Sequence, residues 1–112
     1  MSFEELMQAF CDHLRSLRRS PSTVANYSAT ARDFTRHCRE TGYQTPHEVP
    51  ENSLGTYVED LERRRFSRLS IYSRHRMIRT WFSWAHLRGH LLLDRLREVH
   101  YKHPPCGPRR VP

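Results

Sequence analysis

The stretch Ser20-Pro21-Ser22-Thr23-Val24-Ala25-Asn26-Tyr27-Ser28-Ala29-Thr30-Ala31-Arg32-Asp33-Phe34-Thr35-Arg36-His37-Cys38 decides the reading of the fold. Ser20 has the side-chain oxygen an N-cap needs, and Pro21 suits the first helical position, where no backbone N–H has to be bonded. Val24, Tyr27, Ala31, Phe34 and Cys38 then recur at helical spacing as one apolar stripe, and Gly42 can end the helix in a left-handed turn.

The same pattern repeats outward. Ser2 and Glu5 have the spacing of a capping box. The helix they open carries Leu6, Phe10, Leu14 and Leu17 on one side. Pro50 announces a third helix through Leu54, Tyr57, Val58 and Leu61 into Arg63-Arg64-Arg65. Acids early and arginines late suit its dipole. Ser67 or Ser70 caps a fourth, with Ile71, Ile78, Trp81, Phe82 and Ala85 inward and Gly89 as its stop. Trp84 lies to one flank, placed to cap the bundle edge or to meet a partner. No stretch alternates at period two, so no sheet is expected. Amphipathic helices with short connections predict one compact all-α bundle over residues 1–97. Residues 98–112 hold four of the seven prolines and no stripe, and read as an extended Pro-rich linker or tail.

A chain of 112 residues has room for one core. Its longest aliphatic run, Leu91-Leu92-Leu93, is far short of the roughly 18 residues of a membrane span. The acidic start Ser2-Phe3-Glu4-Glu5 does not resemble a signal peptide. Cys11, Cys38 and Cys106 form no CxxC pair, which fits a reducing cytoplasm better than a disulfide framework.

Charge is the strongest functional signal. Nineteen basic and twelve acidic residues leave +7, and all but Lys102 of the basic residues are arginine. A GC-rich genome would favour arginine over lysine, but would not create the net excess. Residues 1–62 hold six arginines and ten acids, whereas residues 63–112 hold thirteen basic residues and two acids. Arg63 to Arg88 includes eight arginines and no acid. Charge segregated in this way fits a polyanionic partner, and guanidinium forks match phosphates and guanine edges.

Enzyme motifs are missing: there is no GxxxxGK[ST], GxGxxG or GxSxG. Glu59-Asp60 reads as a solvated face rather than a catalytic pair. Cys11-Asp12-His13, His37-Cys38 and His100-x-x-His103-x-x-Cys106 lack the four-ligand spacing of structural zinc, so no metal or cofactor is expected. The sharper constellation is polar. Arg18 and Arg19 lead into Ser22, Thr23, Asn26 and Thr30, with Asp33 beyond, on a helix face away from the apolar stripe. On the fourth helix Arg68, Ser70, Ser73, Arg74, Met77 and Thr80 line one side, with Arg76 and Arg79 adjacent. Hydroxyls and amides near helix N-termini can hold phosphates, and Asn and Arg can read base edges. An ordinary solvated face would have the same composition.

Two runs carry a resemblance. One is Leu14…Ser20-Pro21-Ser22-Thr23-Val24-Ala25-Asn26-Tyr27…Phe34…Cys38…Gly42. The other is Tyr57-Val58-Glu59-Asp60-Leu61…Ser67…Ser70…Ile78-Arg79-Thr80-Trp81-Phe82-Ser83-Trp84…Gly89-His90-Leu91. Over residues 2 to about 97 the order and spacing resemble the N-terminal core-binding domain of tyrosine recombinases (phage integrases of the Xer type). The resemblance implies a SAM-like orthogonal bundle of four to five helices that grips double-stranded DNA for recombination and integration. Its second and fourth helices would lie along the major groove.

Thr23, Arg68 and Ser70 would then hold phosphates, and Asn26 and Arg74 would read bases. The implied partners are DNA, the recombinase's own catalytic domain and other protomers of a synaptic complex, with no membrane and no small-molecule substrate. The family's catalytic arginines, lysine, HxxR motif and nucleophilic tyrosine have no counterpart here, so binding without cleavage is expected. Leu93-Asp94-Arg95 stands where the family often has Asn-Pro. The other expectation is a helical protein-interaction module with an incidental basic surface. RNA binding is disfavoured because no aromatic is clearly presented for stacking.

Overall fold

A computed structural model describes residues 1–101. His103, Cys106 and most of the expected linker lie outside them. Four α-helices and one short 3-10 turn follow one another, with no strand among the described residues: α1 Phe3–Ser16, α2 Pro21–Glu40, the turn Pro46–Glu48, α3 Ser53–Arg63 and α4 Arg68–Leu87. This is the expected all-α bundle without a sheet.

The local signals act as their chemistry dictates. Ser2 and Glu5 close a reciprocal capping box. Ser20 Oγ accepts from the Thr23 N–H at 3.2 Å, and Ser67 Oγ accepts from the Ser70 N–H at 3.1 Å. Of the two possible caps of α4, Ser67 is therefore the one used. Each helix ends with an N–H two residues past its C-cap bonding back over the last turn: Arg19 to Leu14, Tyr43 to Cys38, Phe66 to Leu61 and His90 to Ala85. The residue between must be left-handed. Gly42 and Gly89 fill that place after α2 and α4, at φ +106° and +82°. After α1 and α3 it is filled by arginine, Arg18 at φ +60° and Arg65 at φ +67°.

Helix α2 is the hub, packing on α1, α3 and α4, while α4 also touches α1 and α3. The core is built from Phe3, Leu6, Phe34, Leu54, Tyr57, Leu61, Ile71, Ile78 and Trp81, each at most 1 % exposed. Each such side chain stabilises the fold by roughly 1.5–3 kcal/mol against exposure. The Trp81 indole donates to the Leu6 carbonyl at 3.4 Å. Trp84 closes one edge, with ring centroids 5.1 Å from Phe10 and 5.3 Å from both His13 and His90.

Some expectations are corrected. Leu17 is the C-cap of α1 and is 56 % exposed, because its helix ends before it can face α2. Phe3 takes the inward place at the other end of the stripe. Tyr27 is half-buried rather than core. Helix α3 has no acid in its first turn, since Pro50 and Glu51 precede the helix proper. His75, left out of the apolar stripe, is 4 % exposed on the line of Ile71, Ile78 and Phe82.

Past Gly89 the chain folds back on the bundle. Leu91 and Leu96 are buried, and Val99 and Tyr101 pack against the core. Among the described residues no helix is long and apolar enough to cross a membrane.

Candidate nucleic-acid interface

Helices α2 and α4 pack together, and a shallow groove runs between their first halves, the start of each lying beside residues one to three turns into the other. Its outer part is lined by Arg19, Thr23, Asn26, Tyr27, Ser73, Arg76 and Met77. Its continuation is lined by Asn26, Ala29, Thr30, Leu69, Ser70, Ser73, Arg74 and Met77. The fold thus unites residues that are some fifty positions apart in sequence. Arg19 and Arg76 are exposed and have no ion pair or side-chain hydrogen bond among the described residues.

Hydroxyls crowd both helix starts. Ser20 Oγ lies 3.2 Å from Ser22 Oγ and donates to Thr23 Oγ1 at 3.0 Å, while Ser67 Oγ donates to Ser70 Oγ at 3.0 Å. The open groove therefore offers hydroxyl, amide and guanidinium groups together, which is the donor set of a phosphate-and-base surface.

The residues expected here do not share one fate. Arg18 and Arg68 are exposed at the entrances to α2 and α4, and Ser22 sits beside the α2 cap. Thr30 is not on a solvated face: it is 3 % exposed and its hydroxyl donates to Met77 Sδ at 3.5 Å. The close approach of α4 covers it. Arg79 turns away from the groove, and its Nη2 donates to the Arg97 carbonyl at 2.8 Å.

Asp33 anchors three helices. Its Oδ2 accepts from Tyr57 Oη at 2.6 Å, Arg64 Nη1 at 2.9 Å and Arg74 Nη1 at 3.1 Å, and its Oδ1 accepts from Arg36 Nε at 3.1 Å. Asp60 accepts from Arg36 and Arg64, each at 3.0 Å. The Phe66 ring lies 4.9 Å from both the Arg64 and Arg74 guanidinium carbons.

Burial pushes the Asp33 carboxyl up, but the bonds from Tyr57, Arg64 and Arg36 outweigh it and hold the carboxyl below its ordinary range. Burial and the bond to Asp33 raise the Tyr57 phenol far above its usual range. Asp33 and Asp60 are thus paired with Arg36, Arg64 and Arg74, of which Arg74 lines the groove. The spacing of Asp33 and Tyr57 in sequence offered no sign of this pairing. Nor did the sequence mark Arg64 and Arg74 as the guanidiniums that stack on Phe66.

Cys11 and Cys38 are buried, and burial pushes the Cys38 thiol up to about 12, so it is inert. Among the described residues no three His, Cys, Asp or Glu side chains are placed to hold a metal ion. The chain matches no protein-family model, no curated protein and no solved structure.

Proposed function

We propose that this chain binds double-stranded DNA through the α2–α4 groove, as the core-binding part of a tyrosine recombinase would, without cleaving it. The observation that carries this reading is the groove itself. Arg19, Thr23 and Asn26 of one helix meet Ser73 and Arg76 of the other on one open surface, within a chain of net charge +7. Affinity would come mainly from arginine–phosphate pairs and counterion release, so it should fall steeply with salt. In this reading the catalytic domain of the recombinase and neighbouring protomers are further partners. The SAM-like arrangement and a cytoplasmic location belong to the same proposal.

The test is fluorescence anisotropy with a random duplex of about 30 base pairs at about 50 and about 200 mM salt. A tenfold or greater loss of affinity is expected, roughly what several phosphate contacts produce. Arg19→Glu with Arg76→Glu should abolish binding. No binding of the wild type at the lower salt overturns the proposal. A single-stranded RNA competitor that displaces the duplex efficiently would favour RNA instead.

A protein-interaction role would use a different surface. Leu87, Leu92 and Leu93 are 80 %, 82 % and 59 % exposed. Leu92 and Leu93 also line an apolar groove with Pro46, Val49, Phe82 and Leu91. Leu92→Glu with Leu93→Glu should leave DNA binding unchanged if the two surfaces are independent.

A further inference from the structure

The α2–α4 groove holds two kinds of arginine. Arg19 and Arg76 are exposed and unanchored among the described residues. Arg74 is anchored. Its side chain is 23 % exposed, and its Nη1 donates both to Asp33 Oδ2 at 3.1 Å and to Tyr57 Oη at 3.0 Å. The Tyr57 hydroxyl in turn donates a hydrogen bond to Asp33 at 2.6 Å, and the guanidinium stacks over Phe66 at 4.9 Å. The Nε–Nη2 edge carries no bond among the described residues, and the side chain lines the groove beside Asn26 and Ser73.

Such an arginine is ill suited to general phosphate attraction. Its charge is partly offset by Asp33, so it adds less to counterion release than a free arginine. It is well suited to recognition. Stacking and two hydrogen bonds fix its plane in advance, so little side-chain entropy is lost when the remaining fork is bonded. That fork needs two acceptors side by side. In the major groove guanine alone presents such a pair on one base, O6 and N7.

We propose that Arg74 is the specificity-determining residue of this groove and reads a guanine edge, with Asp33, Tyr57 and Phe66 as its positioning residues. The inference rests on the DNA-binding reading above. Arg19 and Arg76 supply sequence-independent affinity, and Arg74 supplies discrimination.

The test is selection from duplexes with a randomised central segment, by the full chain and by Arg74→Lys, Tyr57→Phe and Arg76→Ala. Affinities and salt slopes are then measured on the selected and on random duplexes. Circular dichroism confirms that each variant is folded. The wild type should enrich guanine at a fixed position, preferring it over other bases by roughly 5- to 150-fold, the span of one bidentate contact. Arg74→Lys keeps the charge but not the fork, and should lose that enrichment, its affinity for the selected duplex falling to that for random duplexes with an unchanged salt slope.

Tyr57→Phe removes one anchor of Nη1 and should weaken the preference without altering the salt slope. Arg76→Ala should keep the preference and lower the slope by about one. Three results would overturn the inference alone: wild-type binding without base preference, an unchanged preference in Arg74→Lys, or a uniform loss of affinity with a reduced salt slope in Arg74→Lys. Failure of the wild type to bind any duplex at low salt would overturn the DNA reading with it.

Discussion

The Tyr57 hydroxyl donates to the Asp33 carboxylate at 2.6 Å, and around this one bond α2, α3 and α4 are joined. Tyr57 is fully buried, and the same hydroxyl accepts from Arg74, so a core side chain of α3 reaches the rim of the surface groove. Core packing and the arrangement of the proposed interface are thus linked through one phenol.

Tyr57→Phe should therefore cost stability as well as orientation. A hydrogen bond to a charged group contributes about 1.5–3 kcal/mol. Asp33 keeps its three arginine partners in the variant, so the lower end of that range is expected. Urea unfolding would measure it, and a loss below about 0.5 kcal/mol would mean the bond is replaced by solvent.

His75 should make stability fall in mild acid. It is 4 % exposed, with Tyr101 5.8 Å away ring to ring. Burial first, then the charges of Arg79 and His100, lower its pKa to about 4. Above about pH 7.5 it is largely uncharged in both states and contributes almost no pH dependence. As pH drops below about 6.5 the unfolded chain takes a proton that the folded chain refuses, so stability is lost until about pH 4. At pH 5 the loss approaches 2 kcal/mol relative to pH 7.5. His37, also lowered by burial, adds in the same direction. Urea melts at both pH values should show a smaller difference in His75→Leu than in the wild type.

Arg18 occupies a backbone position that favours glycine, at φ +60°. Arg18→Gly should raise stability by about 0.5–1 kcal/mol, because left-handed backbone is costly for any residue with a Cβ. If Arg18 contacts phosphate, the same variant should bind DNA more weakly at low salt. Arg65→Gly, at φ +67°, tests whether the gain in stability is general. Thermal melts and anisotropy on the same samples would separate the two effects.

Thr30→Val should leave DNA affinity within about twofold of wild type. The hydroxyl is buried against Met77 rather than open to the groove, and replacing it with a methyl of similar shape removes only a weak bond to sulfur. A fall of tenfold or more in the anisotropy titration would show that the groove opens on binding.

What the sequence determined alone is local. The caps at Ser2, Ser20 and Ser67, the stops at Gly42 and Gly89 and the apolar stripes depend on residues within a few positions of one another. Helical geometry converts those spacings directly into faces and ends. The stops at Arg18 and Arg65 were not visible as such, because arginine has no preference for the left-handed turn it is made to adopt. Sequence also placed Thr23, Asn26, Ser73 and Arg76 on outward faces, and the fold gathers them into one groove.

Tertiary structure decided which polar groups stayed available. Thr30 disappears under α4, Arg79 is taken up by the returning chain at Arg97, and Arg74 is held by Asp33 and Tyr57 from 41 and 17 residues away. Periodicity reports only the direction in which a side chain leaves its own helix. Its partner depends on which neighbouring helix closes over that face, and that is settled only when the whole core packs.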